Sequence, residues 1–186
     1  MACISITHPE VVVDPGVPIA DWSLSEVGRN RATRLPGQLR DAPQAVICSA
    51  ERKAIETATI LAEALDLQTT VDPGLGEMDR TATGYLPPGE FEQTADDFFA
   101  QPEVSVRGWE RGIDAQHRIE TAVRRNLCAG ADPAIAFVAH GGVGALLMAS
   151  LMSAPISRAF DQPGLGSCFR FDARTWTLLS PWEPIL

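Results

Sequence analysis

Three histidines occur in this 186-residue chain, and two of them stand in the same kind of place. His8 closes the run Cys3-Ile4-Ser5-Ile6-Thr7 and is followed at once by Pro9, which cannot continue a central strand. His140 closes Ala134-Ile135-Ala136-Phe137-Val138-Ala139, and Gly141-Gly142 then open a helix. An imidazole changes charge near neutral pH, so a histidine at a strand end suits a nucleophile or a proton carrier. His117, inside a helical stretch, reads as a surface or packing residue.

Two further segments carry chemistry. Ser49-Ala50-Glu51-Arg52-Lys53-Ala54 puts a hydroxyl at a strand end and two cations in the first turn of a helix. The helix dipole disfavours cations there, and a bound phosphate reverses that by using both the N–H groups and the side chains. Arg52 and Lys53 are sequence neighbours and do not face one spot on a helix, so either could be the one pointing inward. Glu77, between Gly76 and Met78, is a carboxyl that a desolvated site would keep protonated as a general acid. A rival use of His8, His140 and Glu77 is a three-ligand zinc site, although no HExxH spacing accompanies them.

These residues need elements to position them. Short apolar runs at Cys3–Thr7, Ala45–Cys48, Thr69–Val71 and Ala134–Ala139 read as strands. Ser25 is a plausible N-cap for a helix with Leu24, Val27, Ala32 and Leu35 inward. Further helices are expected over Glu51–Leu65, Glu90–Ala100, Arg107–Leu127 (Ile113, Ile119, Ala122 and Val123 inward) and Val143–Leu151. Cys168–Phe171 and Thr175–Leu179 are expected to form a hairpin turned by Asp172-Ala173-Arg174. Strand and helix alternate four times before it, the pattern of an α/β protein with a three-layer, mostly parallel central sheet and helices on both faces. Ligands collect outside the carboxyl ends of such strands, so His8, Ser49, Glu77 and His140 are expected along one edge. No repeat or linker divides the chain, which reads as a single domain over 1–186 with residues 81–111 as a lid.

The bulk numbers narrow the partners. A net charge of −9 and a pI near 4.7 argue against nucleic acid, yet local cations can still bind a phosphorylated small molecule or phosphoprotein. No apolar run approaches the roughly 18 residues of a membrane span. Cys3, Cys48, Cys128 and Cys168 form no CxxC pair and read as buried thiols of a reducing compartment, and no signal peptide is evident, so a cytoplasmic location is expected. The strip Trp176–Leu186 reads as core or interface, and oligomeric state stays open.

Taken together, Thr7-His8-Pro9, Leu24-Ser25-Glu26-Val27-Gly28, Ser49 to Ala58, Glu77 and His140-Gly141-Gly142-Val143 resemble the histidine phosphatase superfamily, of phosphoglycerate mutase-like fold. The resemblance spans residues 4 to 150 in order. It implies phosphomonoester or phosphoramidate hydrolysis through a phosphohistidine on His8, charge stabilisation by His140, a general acid in Glu77, and no metal or organic cofactor. It further implies phosphate binding by the Thr7, Ser49, Arg52/Lys53 and Gly141 positions. Three positions depart from the family: Thr7 replaces the arginine before the nucleophile, Pro9 replaces the glycine after it, and Lys53 occupies the helix arginine position, with Arg52 one residue off. Lys lacks the planar fork that grips phosphate bidentately. Either Arg80, Arg107 or Arg111 compensates, or the protein is a degenerate member that binds a phosphorylated ligand or protein partner without turnover.

Overall fold

The computed structural model describes residues 2–127 and 134–186; Cys128 lies outside them. The described residues form a six-stranded sheet from β1 (Ala2–Thr7), β2 (Ala45–Cys48), β3 (Thr69–Val71), β4 (Ile135–Ala139), β5 (Ser167–Asp172) and β6 (Thr177–Pro184), in the order β3-β2-β4-β1-β5-β6. The first four strands pair in parallel; β5 pairs antiparallel to β1 and β6 antiparallel to β5. The expected mixed but mostly parallel α/β architecture is what is found.

Period-2 alternation along β4 makes the two cores. Ile135, Phe137 and Ala139 face α5 (Gly112–Leu127) and α6 (Gly141–Leu151) through Ile119, Val123, Val143 and Leu147. Ala136 and Val138 face the opposite layer, where α3 (Arg52–Ala64) contributes Ala54, Ala58 and Leu61 and α2 (Leu35–Gln38) contributes Leu35. Truncating a fully buried ring such as Phe137 to alanine would cost about 3–5 kcal/mol. A third cluster joins α4 (Pro88–Ala100) to α5 and α6 through Phe98, Phe99, Trp109, Ala115 and Leu146.

Some expectations about facing are corrected. Ser25 does cap α1 (Glu26–Ala32), its hydroxyl accepting from the Gly28 N–H, but Gly28 and Ala32 face inward and Val27 is 60% exposed. The long helix begins at Gly112 rather than Arg107, because Arg107 adopts a left-handed φ of 53° in a short 3-10 turn and Trp109 is buried beside it. Ile113 is consequently 37% exposed, and the inward stripe runs through Ala115, Ile119, Ala122 and Val123. At the C-terminus Trp182 packs edge-on against Phe169, ring centroids 4.7 Å apart, while Leu179 and Leu186 face outward. Cys3 and Cys48 are buried and Cys168 half-buried.

Candidate active site

The parallel register sets the site. Thr7 pairs with Ala139 and Cys48 with Val138, so the residues that follow, His8, His140 and Ser49, leave the sheet side by side. The rings of His8 and His140 lie edge to face with centroids 5.3 Å apart. His8 Nδ1 is 2.9 Å from the Pro9 carbonyl oxygen, which can only accept, so Nδ1 carries the proton and Nε2 keeps its lone pair. Burial, aided by the charge of Lys53, lowers the His8 pKa to about 4, and the ring is neutral at pH 7.

His140 is fully buried. Its Nε2 sits 2.9 Å from Ser49 Oγ and 3.3 Å from Glu51 Oε1. Burial opposes ionisation of Glu51, but His140 in its charged form, Lys53 and the Glu77 N–H outweigh it and bring the pKa down to about 2. An ionised carboxylate beside Nε2 holds the ring proton there and leaves Nδ1, which is buried without a hydrogen-bond partner, bare. Lys53 is 4% exposed, and its ammonium donates to the Ile19 carbonyl at 2.8 Å and to Glu51. Arg52 turns the other way: it is exposed and paired with Glu56 at 3.0 Å, so it is not the inward cation.

Glu77 follows the 3-10 turn after β3. Its Oε2 accepts from the Gly142 N–H at 3.1 Å and its Oε1 from Val143 at 3.0 Å, docking the carboxyl on the α6 N-terminus. Burial and the neighbouring Glu51 charge nevertheless raise its pKa. Its loop is held from behind by Arg118, which donates to the carbonyls of Gly74, Gly76 and Glu77 at 3.0, 2.8 and 3.1 Å. Two glycines make this closeness possible. A Cβ at Gly142 would meet the Met78 methyl at 2.1 Å, and one at Gly141 would meet the Gln162 amide nitrogen at 2.4 Å.

Thr7 does not face the opening. Its hydroxyl accepts from the Ser167 N–H at 2.9 Å and lies 2.5 Å from Gln162 Oε1, to which it donates. That fixes the Gln162 carboxamide with its NH2 end toward Gly141 and the cavity. The cavity has a volume of about 550 Å³; His8, Lys53, Glu77, Arg80, His140, Gly141 and Gln162 share its lining with Trp22, Tyr85 and Phe91. Of the three compensating arginines considered, Arg80 lines it, its guanidinium 4.9 Å from the Phe91 centroid. Arg107 and Arg111 are exposed and engage Glu90 and Asp114 instead. Among the described residues no group of three or more His, Cys, Asp or Glu side chains is placed to hold a metal ion.

Glu51, Gln162 and Arg118 were not singled out from sequence. In the sequence the first turn draws attention to the cations Arg52 and Lys53, and the buried role of Glu51 comes from His140 and the Glu77 N–H, both remote in sequence. Gln162 and Arg118 act on segments remote in sequence and leave no local signal.

This chain belongs to the histidine phosphatase superfamily (branch 1), which it matches over residues 17–181, a span that begins after His8. Solved structures agree in fold. YhfR of Bacillus stearothermophilus is 24% identical with a TM-score of 0.81, covering 100% of this chain and 97% of its own. A mycobacterial glucosyl-3-phosphoglycerate phosphatase in complex with inorganic phosphate is 23% identical with a TM-score of 0.77, covering 98% and 94%. No curated protein matches the sequence. Among the described residues no helix is long and apolar enough to cross a membrane.

Proposed function

We propose that this protein is a phosphatase acting on phosphomonoesters or phosphoramidates through a phosphohistidine. The observation that carries the reading is the neutral His8 ring with Nδ1 tied to Pro9 and Nε2 left as the reactive lone pair, beside a carboxyl of raised pKa. Nε2 attacks phosphorus; the N–P bond forms as the bond from phosphorus to the leaving oxygen or nitrogen breaks, and that atom takes the Glu77 proton. Water then attacks the phosphohistidine, surrenders a proton to Glu77, and releases inorganic phosphate as the N–P bond breaks. Lys53, Arg80 and the Gln162 amide hold the phosphoryl oxygens where the family has arginines.

Glu51 gives this reading its distinctive electrostatics. With Glu77 protonated, Lys53 and Arg80 against Glu51 leave the cavity floor about one positive charge short of a phosphate dianion. His140, which faces Glu51, His8, Lys53 and Arg80, is neutral in the empty site because burial lowers its pKa. An entering dianion draws a proton onto the bare Nδ1, and Glu51 acts as counter-ion to the imidazolium on the other side of the ring.

A second reading, binding without turnover, is favoured by the same Glu51, which neutralises Lys53 before any ligand arrives. Loss of one charge clamp costs on the order of a hundredfold in rate, which slows a phosphatase without abolishing it. The deciding experiment is hydrolysis of an activated aryl phosphate with chelator present, beside His8→Ala. Turnover that vanishes in His8→Ala supports the phosphohistidine enzyme; phosphate binding with no turnover in the parent protein supports the binding reading.

A further inference from the structure

The phosphate end accounts for only part of the cavity, and the remainder has a different chemistry. Beyond Arg80, Trp22 and Tyr85 approach from opposite segments of the chain with centroids 6.1 Å apart, and Phe91 lies 6.0 Å from Trp109. Ile19 and Leu86 line the same cavity. About 550 Å³ is far more than a phosphate occupies and falls in the range of pockets that enclose a small organic ligand. Charge at the rim is already spent: Arg158 is engaged by Glu92, Asp96 and Asp161, at 2.6 Å for Asp96. Arg80 alone stands between phosphate and aromatic wall, with no carboxylate within ion-pair distance among the described residues and with a guanidinium plane that suits a ring.

Resting on the phosphatase reading, we infer that the leaving group is uncharged and aromatic or comparably apolar, and that the site rejects substrates bearing a second anion. An aryl group placed against Tyr85 and Phe91 gains area burial plus edge or offset stacking. A glycerate carboxylate in the same place would meet apolar walls and the acids Glu92 and Asp161, and the one lining cation without a carboxylate partner among the described residues, Arg80, is already committed to the phosphate in this reading. The preference therefore differs from what the name of the glucosyl-3-phosphoglycerate neighbour describes.

The test uses the full-length protein and does not depend on turnover. Isothermal titration of His8→Ala with 1-naphthyl phosphate, glycerol 2-phosphate and 3-phosphoglycerate at one pH and salt should rank the naphthyl ester first by roughly tenfold or more and 3-phosphoglycerate last. In Tyr85→Ala and Phe91→Ala, both partly exposed positions, the naphthyl-to-glycerol ratio should fall at least threefold. Equal affinities, or a preference for 3-phosphoglycerate, overturn the inference even if the parent protein hydrolyses all three. A naphthyl preference in a protein that hydrolyses none upholds the pocket assignment while sinking the catalytic reading.

Discussion

Glu51 Oε1 lies 3.3 Å from His140 Nε2 while the second oxygen of the same carboxylate binds Lys53, so one acid spans the second histidine and the inward cation. In the phosphate pocket proposed above, a carboxylate looks like a defect until the proton that His140 would gain is counted. The pair can supply by protonation the positive charge that a permanent guanidinium supplies elsewhere in the family.

That arrangement predicts proton uptake on ligand binding. At pH 8, where phosphate is mainly dianionic, calorimetry in buffers of different ionisation enthalpy should show most of one proton taken up per phosphate bound. Glu51→Gln removes the counter-ion and the need for it: uptake should fall to near zero, and affinity at pH 8 should equal or exceed that of the parent. Unchanged uptake in Glu51→Gln would show that His140 is not the group being titrated.

Lys53 and Arg52, adjacent in sequence, should behave as unrelated residues. Lys53→Ala removes the inward cation and leaves the half-buried Glu51 carboxylate with only His140 and the Glu77 N–H; phosphate affinity should drop at least tenfold, and unfolding free energy by about 3 kcal/mol. Arg52→Ala loses an exposed helix pair and should change stability by less than about 0.5 kcal/mol and affinity by less than twofold. Denaturant unfolding with phosphate titration on both variants checks this.

If Glu77 is the proposed acid, it should set the alkaline side of the activity profile. His8, with a pKa near 4, stays neutral across the whole neutral range, so kcat/KM should hold toward acid and decline as Glu77, raised above its ordinary value, loses its proton. Glu77→Gln should flatten that decline. It should also slow an alkyl phosphate by 10²-fold or more and a nitrophenyl phosphate far less, because only the poor leaving group needs the proton. Equal losses for both substrates would remove Glu77 from the role of acid.

Stability should fall in two stages on acidification. His8 has a folded pKa of about 4 against 6.5 unfolded, so the unfolded chain binds the extra proton and stability declines between those values. Glu51, about 2 folded against 4.5 unfolded, contributes stability that is present above 4.5 and lost as pH falls toward 2, on the order of 3 kcal/mol in all. Glu77, shifted upward, works in the opposite sense. Urea unfolding at pH 7, 5 and 3.5 should show the second stage missing in Glu51→Gln.

The sheet and the strand-end residues were legible in sequence because parallel strands buried on both faces write continuous apolar runs, and whatever follows each run must lie at the same edge. His8, Ser49 and His140 were placed that way. Helix phase was harder. Val27 and Ile113 are apolar and near a helix start, where a shift of one residue turns a side chain by about 100°, and both face solvent. Glu51 was illegible for another reason: a charge in the first turn of a helix has the same local signature whether water or a lysine surrounds it.

The absent side chains at Gly141 and Gly142 have a consequence for how this site can diversify. Gln162 rests on one α-carbon, and Met78 and Glu77 on the other, so the proposed phosphate donor, the cavity wall and the proposed acid are geared to a single backbone turn. A residue larger than hydrogen at either position displaces two functional parts at once, whereas Tyr85, Leu86 or Phe91 can be exchanged one at a time. Substrate range is thus free to drift along the aromatic wall, while the chemistry is locked to a helix start that admits no ornament.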